Sequence, residues 1–399
     1  MKKTLILSIT TVLILILALV SINIKKTSDL DESDIVEEKK EKVLSKKEIE
    51  ENEINDIMNS LSLEEKLGQM VIVGFNGYEV DSDFRDLLES YKVGGVILFK
   101  RNIKNSEQLL NLNNNIKSIN SKNKLPLFIS VDEEGGRITR LPEGSTKFPS
   151  NKVIGKENDK DLSYKIGKQI GTELNNFKFN MDFAPVLDIY SNPKNTVIKD
   201  RSFGTDSEIV KKLGVATMKG LQDSNVISVV KHFPGHGDTT VDSHIGLPVV
   251  NHDKQRLDKF ELIPFKEAIN NGVDAVMTAH IVLPNVDKSK KPATLSETIL
   301  TDILRNELNF SGVIITDDME MGAIVNNYGT KNASVEAIKA GADIVLMCHT
   351  KEKQIEALEG LKEAVNSGEI SIERIDESVK RIIKLKRKYD LNDIKKKNN

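Results

Sequence analysis

The sequence contains no tryptophan, a single cysteine and no marked excess of charge of either sign. Because one cysteine, Cys348, cannot form a disulfide within the chain, the fold must be held together by packing. The absence of tryptophan removes one surface for stacking against a sugar ring, but it does not exclude carbohydrate as a ligand. With 57 basic and 60 acidic side chains, the net charge of −3 gives no electrostatic reason to expect a nucleic-acid partner.

The first 24 residues differ from the rest of the chain. Lys2 and Lys3 precede an apolar run from Leu5 to Ile24, which is long enough to span a bilayer as a helix. No convincing small-residue cleavage site follows this run, and no cysteine lies near its end to carry a lipid. We therefore expect residues 1–24 to be a signal segment or, in preference, an uncleaved membrane anchor that leaves the rest of the chain outside the cell.

Charged residues dominate the segment that follows the apolar run, and they also dominate the C-terminal tail. Residues 25–53 are rich in Lys, Glu, Asp and Ser, and such a segment cannot bury enough apolar surface to fold alone. We expect it to be a flexible tether that leads to a single catalytic domain at residues 54–391. The lysine-rich residues 392–399 are expected to be disordered.

Apolar runs alternate with amphipathic stretches across residues 54–391. Near-continuous Val and Ile runs separated by helices are typical of a parallel sheet that is buried on both faces. The runs are 70–75, 93–99, 127–131, 181–189, 226–233, 275–281, 313–316 and 342–347, and the amphipathic stretches include 106–119, 207–221 and 372–385. This pattern predicts an α/β fold, a closed (β/α)8 barrel of the TIM type. The alternative is an open doubly wound sheet, but its dinucleotide-binding form needs a G-x-G-x-x-G motif after the first strand, and none occurs there.

Polar residues stand where the apolar runs stop. They are Asp132, Asp182, Asp188, Lys231, His232, His280, Asp317 and Asp318. The active site of such a barrel is built at the carboxyl ends of the strands, so we predict that these side chains meet in one site. For His280, a contact with sugar and a buried structural role fit the sequence equally well.

The densest group of such residues is the segment KHFPGHGDTTVDSH at 231–244. A proline and a glycine between His232 and His236 break any helix that could place both on one face, so the spacing does not favour a metal site. Asp242 and His244 are two positions apart, and in an extended segment their side chains point the same way. A carboxylate beside an imidazole raises the pKa of the histidine and makes it a usable proton donor near neutral pH.

Two acids end the seventh run, in the sequence VIITDDMEM. Asp317 comes first after the strand, so we expect it to project over the barrel mouth, where it could act as a nucleophile. Asp318 is expected to cap the helix that follows.

Five segments together resemble glycoside hydrolase family 3, and more narrowly its β-N-acetylglucosaminidase branch. They are GVILFKRN at 95–102, VDEEGGRITR at 131–140, DRSFGTD at 200–206, KHFPGHGDTTVDSH at 231–244 and GVIITDDMEM at 312–321. The resemblance extends from about residue 54 to residue 391. It implies a barrel catalytic domain and a retaining mechanism that needs no cofactor. The chain departs from the family pattern at Glu133, where an amide is often found.

The resemblance also implies roles for individual residues. Asp317 corresponds to the nucleophile, and His244, paired with Asp242, corresponds to the acid/base group. The sugar-binding residues that it implies are Asp132, Arg140, Arg201, Lys231 and His232. Either of the two arginines could equally form an ordinary ion pair at the barrel rim. A retaining glycosidase needs one carboxylate nucleophile and one proton donor, and here a histidine would replace the usual second carboxylic acid.

These observations lead us to expect a monomeric exo-acting glycosidase, exported or anchored at a bacterial cell envelope, that releases terminal N-acetyl-β-glucosamine from cell-wall or related glycans. The alternatives are a non-catalytic sugar-binding or sensor barrel, a family 3 β-glucosidase or phosphorylase, and a metal-dependent barrel hydrolase. The presence of both a nucleophile and the Asp-Ser-His segment argues against binding alone, which needs neither. Water and phosphate both remain open as the acceptor.

Overall fold

Eight parallel strands form a closed barrel in the computed structural model, which describes residues 48–243 and 246–391. The strands are β1 (Val71–Val73), β2 (Gly95–Leu98), β3 (Phe128–Val131), β4 (Met181–Asp182), β5 (Ile227–Phe233), β6 (Ala275–Thr278), β7 (Val313–Asp318) and β8 (Ile344–Met347). Each strand pairs with the next along the chain, and β8 pairs with β1 through Val71 and Val345. The predicted barrel is confirmed, with one strand in each of the eight apolar runs.

The fourth apolar run forms the shortest strand, although it was predicted to extend to Ile189. Only Met181 and Asp182 belong to β4. Regular pairing stops after Asp182, near Pro185, which has no backbone N–H to donate, and it resumes only as a single bridge between Val186 and Lys231 of β5. Burial alone therefore does not define the end of a strand.

Helices connect the strands in the order that the sequence pattern predicts. They are 48–60, Leu63–Gln69, Ser82–Glu89, Ser106–Asn120, Asn151–Glu157, Lys160–Asn176, Ser207–Gln222, Lys254–Lys259, Ile263–Asn270, Thr298–Glu307, Gly322–Tyr328, Thr330–Ala340, Lys351–Asn366 and Ile372–Lys388. Asn105 and Asp206 begin two of the predicted helices, since each side chain accepts a backbone N–H of the first turn.

The N-terminal expectations fall mostly outside the described residues. The apolar run at 1–24, tether residues 25–47 and the tail at 392–399 all lie there. The helix at 48–60 begins inside the segment that was expected to be a tether, and one compact unit begins at Met58. Within the described ranges, no helix is both long and apolar enough to cross a bilayer.

The helix Ile372–Lys388 binds the amino-terminal ends of three strands through one lysine. Nζ of Lys386 donates to Gln69 Oε1 at 2.6 Å, to the Gly94 carbonyl at 2.9 Å and to the Pro126 carbonyl at 2.6 Å. These acceptors immediately precede β1, β2 and β3. Burial lowers the pKa of Lys386, but three oxygen acceptors require three N–H donors, which only the ammonium form supplies. One buried side chain therefore links three strand entrances.

A second contact of the same helix is made at the entrance of β8. Asp343 is fully buried and accepts bonds from Arg305, Arg381 and Ser378. Burial would raise the pKa of Asp343, but the charges of Arg305 and the other arginines lower it. The amino-terminal end of the barrel is therefore closed by polar groups whose partners lie within the protein.

We expect Lys386→Met to destabilise the barrel by about 3 kcal/mol, because it leaves buried oxygen acceptors without donors. Urea unfolding would measure the change. Lys122→Met is the matched control, since the Lys122 side chain is 80% exposed and its loss should change the free energy of unfolding by less than about 0.5 kcal/mol. Equal effects of the two substitutions would contradict the role given to Lys386.

Candidate active site

A pocket of about 400 Å³ opens at the carboxyl ends of the strands. Its polar lining residues are Asp132, Arg140, Arg201, His232, His236, Ser243, Asp317, Asp318, Glu320 and His349. Its apolar lining includes Ile97, Phe99, Ile138, Phe183, Val197, Met321 and Leu346. Barrel enzymes hold their active sites at this end, so the pocket is the candidate active site.

Glu134 lies between two cations at one side of the pocket. Its carboxylate accepts bonds from Arg201 Nε at 2.8 Å and Arg201 Nη2 at 2.7 Å. Nζ of Lys231 lies 2.7 Å from Glu134 Oε1 and 2.6 Å from Asp132 Oδ1. Two cations and two carboxylates thus form one network with balanced formal charge.

Burial and charge oppose each other in this network, and charge prevails. Burial would raise the pKa of Glu134, but the charges of Arg201 and Lys231 hold it below its usual range. Burial would lower the pKa of Lys231, but the charges of Asp132 and Glu134 raise it. Glu134 and Lys231 are therefore both charged at neutral pH.

Lys231 differs in position from the other predicted sugar ligands. It is 1% exposed and lies beneath the pocket, where it holds Asp132 and Glu134. Asp132, Arg140, Arg201 and His232, by contrast, line the pocket. Sequence reasoning did not single out Glu134, and the signal that could have found it is its place as the last of three successive acids after the strand end in VDEEGG.

Asp188 fixes the orientation of His232. Its carboxylate lies 2.6 Å from His232 Nδ1 and also accepts the backbone N–H of His236 at 2.6 Å. Burial would raise the pKa of Asp188, but His232 and His236 lower it. An ionised carboxylate accepts, so His232 Nδ1 carries the proton, and Nε2 faces Arg201 Nη2 at 3.4 Å.

His236 holds the chain that follows β5. Its Nδ1 lies 3.0 Å from Thr239 Oγ1, and its Nε2 lies 3.2 Å from Ser243 Oγ. Burial, reinforced by His232, lowers the pKa of His236 to about 4, so the imidazole is neutral at pH 7. A neutral imidazole has one donor and one acceptor, which suits two hydroxyl partners.

Asp317 is placed by the end of β7. Its side chain is half-buried and lines the pocket. Its backbone N–H donates to Thr278 Oγ1 at 3.4 Å, and its Oδ1 accepts the N–H of Asp318 at 2.8 Å. The carboxylate predicted as the nucleophile therefore lies in the same pocket as four of the predicted sugar ligands.

The prediction that Asp318 caps the next helix is wrong. That helix begins at Gly322 with Met321 at its N-cap position. Asp318 Oδ1 instead accepts the backbone N–H groups of Glu320 and Cys348, each at 3.1 Å. A turn separates the strand from the helix, so Asp318 joins the ends of β7 and β8.

The proposed acid/base pair is described only in part. Asp242 is half-buried, and its carbonyl accepts the N–H of Gly246 at 3.0 Å. His244 and Ile245 lie outside the described residues. The pairing of Asp242 with His244 stays a prediction.

Two further alternatives can be compared with the geometry. His280 is buried, with Nδ1 2.8 Å from Thr294 Oγ1 and Nε2 2.9 Å from the Asp318 carbonyl. Both ring nitrogens are bonded within the protein, which favours the structural role. Arg201 forms its ion pair beside the pocket, with Glu134.

Across residues 48–243 and 246–391, no group of three His, Cys, Asp or Glu side chains is arranged to hold a metal ion.

Fold and pocket together define a (β/α)8 barrel with a polar site at the carboxyl ends of its strands. A sequence model described as "Glycosyl hydrolase family 3 N terminal domain" matches residues 62–385. The chain therefore belongs to glycosyl hydrolase family 3, and the resemblance drawn from its motifs is confirmed.

Similar proteins carry more specific names. β-Hexosaminidase A of Pseudoalteromonas piscicida is 37% identical over 367 residues, which cover 82% of this chain and 61% of that protein. A β-hexosaminidase of Nitrosomonas eutropha is 38% identical over 277 residues, which cover 68% of this chain and 78% of that protein. The solved family 3 β-N-acetylglucosaminidase of Paenibacillus sp. is 47% identical with a TM-score of 0.82, covering 83% of this chain and 63% of the other. The chain thus spans about three fifths of the first and third of these proteins.

We expect Asp188→Asn to lower the free energy of unfolding by about 2 kcal/mol at pH 7, because a carboxylate that accepts buried N–H groups is replaced by an amide that also donates. The folded pKa of Asp188 is lowered, so its contribution is present above the ordinary value of 3.8 and is lost as the pH falls through the folded value. Chemical denaturation between pH 7 and pH 3 would measure the unfolding free energies of wild type and Asp188→Asn. The difference between them should narrow only below about pH 3.8. A free-energy difference that stays constant over this range would contradict an ionised Asp188 in the folded protein.

Proposed function

We propose that this chain is a retaining exo-β-N-acetylhexosaminidase that removes terminal N-acetyl-β-glucosamine from cell-wall or related glycans. The observation that carries the proposal is the position of Asp317, which shares one pocket with Asp132, Arg140, Arg201 and His232. The names of the similar proteins, β-hexosaminidase and β-N-acetylglucosaminidase, support the same activity.

The proposed reaction has two displacements at the anomeric carbon. In the first, an Asp317 carboxylate oxygen bonds to that carbon while the glycosidic bond breaks and the leaving oxygen receives a proton. In the second, an acceptor, water in this proposal, loses a proton and displaces Asp317. His244 supplies and recovers the proton. Asp242 orients the imidazole of His244 and favours its protonated form.

The network around Glu134 supports recognition of an uncharged sugar. Arg201 and Lys231 are matched by Glu134 and Asp132, so this network of four side chains carries no surplus charge. Charged donors and acceptors that are already fixed in place bind hydroxyl groups strongly. Hydroxyls of a terminal sugar are the ligands that such a network fits.

We also propose that residues 1–24 hold the protein at the cell envelope, with the barrel outside. The support is the apolar run that follows Lys2 and Lys3. In cell fractionation, the full chain should appear in the membrane fraction with its N-terminus intact. A soluble protein trimmed near residue 24 would overturn the anchor.

Asp317→Ala should reduce turnover of an aryl N-acetyl-β-glucosaminide by about 10³-fold or more, because the covalent catalyst is removed. Asp318→Asn is the matched control and should lose less than about tenfold, since an amide oxygen can still accept the N–H groups of Glu320 and Cys348. A slow fluorinated substrate followed by peptide mass analysis should label Asp317. A label on another residue would overturn the assignment.

His244→Ala should impair cleavage of poor leaving groups by about 10²–10⁴-fold and largely spare glycosyl-enzyme formation from a nitrophenyl glycoside. Asp242→Ala should show a milder loss, and its basic pH limb should move to lower pH because loss of a carboxylate lowers the pKa of the histidine. Steady-state and burst kinetics on both leaving groups would measure this. Equal losses on good and poor leaving groups would show that His244 transfers no proton.

A further inference from the structure

Two adjacent glutamates beneath the pocket have opposite surroundings. Glu133 is 0% exposed and Glu134 is 4% exposed. Glu134 accepts its bonds from the cations Arg201 and Lys231. Glu133 accepts its bonds from neutral groups alone, the hydroxyl of Thr139 and two backbone amides.

The bonds to Glu133 close the loop that carries two of the pocket residues. Glu133 Oε2 accepts from Thr139 Oγ1 at 2.9 Å, from the N–H of Arg140 at 2.8 Å and from the N–H of Leu141 at 3.3 Å. Asp132 precedes this glutamate directly, and Arg140 belongs to the segment that it binds. One carboxylate therefore sets the spacing between an acidic and a basic residue of the pocket wall.

The other oxygen of Glu133 has a counterpart on β4. Asp182 is 0% exposed, and its Oδ1 accepts the backbone N–H of Glu133 at 2.9 Å. Glu133 Oε1 and Asp182 Oδ2 are both buried, and neither has a hydrogen-bond partner among the described residues. Two ionised carboxylates with such oxygens would be costly in this position.

The charged groups that face the two acids do not remove this cost. Lys231 and Asp132 act on Asp182 with opposite signs, and Lys231 already bonds to Asp132 and Glu134. Burial raises the pKa of Glu133, and Arg140 opposes this only in part, without forming a salt bridge to the carboxylate. Burial raises the pKa of Asp182 well above its usual value, and the neighbouring Glu133 raises it further.

We propose that Glu133 is a positioning residue for Asp132 and Arg140, and that Asp182 stays protonated and donates to the oxygen of Glu133 that otherwise has no partner. A carboxylic acid has the donor that a carboxylate lacks, so one proton pairs both orphaned oxygens. The part of this proposal that concerns sugar binding rests on the proposed function. The part that concerns the proton does not.

Infrared difference spectroscopy on the full-length protein tests the proton directly. Wild type at pH 7 should show the C=O stretch of a buried protonated carboxylic acid, Asp182→Asn should lose it, and Glu134→Gln should keep it. Absence of the band from wild type overturns the proposal, whether or not any variant folds.

Thermal unfolding supplies a second test of the same proton. The folded pKa of Asp182 lies above its unfolded value, so its stabilising contribution is present below the unfolded pKa and is lost as the pH rises through the folded one. The Tm of wild type should therefore fall relative to that of Asp182→Asn between pH 5 and pH 8. Parallel Tm curves would contradict a protonated Asp182.

Kinetics test the positioning role, with the adjacent glutamate as control. Glu133→Gln should keep KM for an aryl N-acetyl-β-glucosaminide within about twofold, because the amide oxygen still accepts the three donors. Glu133→Ala should raise KM about tenfold or more with a smaller change in kcat, the pattern of lost binding. Glu134→Gln should also raise KM, since it leaves Arg201 and Lys231 without a carboxylate.

The outcomes separate this proposal from the proposed function. If wild type does not cleave the aryl glycoside, the proposed function fails, while the infrared and Tm results still decide the state of Asp182. If Glu133→Gln raises KM as much as Glu134→Gln, Glu133 acts as a charge, and the positioning role is overturned. Should Glu133→Ala fail to fold, this comparison of the two glutamine variants decides the matter.

Discussion

The candidate site depends on one buried carboxylate, Glu134, which holds Arg201 and Lys231 together. Two cations at the end of a barrel would repel each other and would lose their hydration, and an isolated buried charge is costly. The bidentate bond to Arg201 and the short contact to Lys231 compensate for that loss. Because Lys231 also reaches Asp132, the same interaction joins the ends of β3 and β5 to the segment that supplies Arg201.

This arrangement makes one part of the pocket wall rigid, and the four side chains of the network carry no surplus charge. Arg201 is bonded through two nitrogens, and His232 is held by Asp188, so neither side chain needs to reorganise when a ligand enters. Preorganised donors and acceptors serve a transition state better than groups that must first be ordered. The half-buried Asp317 lies in the same pocket outside this network, which suits the separate role proposed for it.

Sequence reasoning predicted the barrel because strands that are buried on both faces have continuous apolar sequences. It overestimated the fourth strand, since the residues after Asp182 remain buried although only Val186 still pairs with β5, and burial was the signal that was used. Asp132, Arg140, Arg201 and His232, which it named as sugar-binding residues, lie in one pocket, and their roles stay predictions. Sequence reasoning assigned the wrong partner to Asp318, because the local composition does not determine the length of the turn before the next helix.

Glu134 shows the limit of local patterns more clearly. Its partners lie 67 and 97 positions away in the chain, at Arg201 and Lys231, so no local spacing connects them. Two successive glutamates look alike in the sequence, yet one faces cations and the other faces amides and a hydroxyl. The difference arises because successive side chains at the end of a strand point to different environments.

The two ends of the barrel use buried charge for different purposes. At the amino-terminal end, Asp343 and Lys386 have partners within the protein and lie far from solvent, so they stabilise the fold. At the carboxyl end, Asp132 and Arg201 keep part of their surface in the pocket, although each also has a partner. A charge that is paired yet still exposed to a cavity can accept or donate further bonds, and this property makes the carboxyl end suited to binding a ligand.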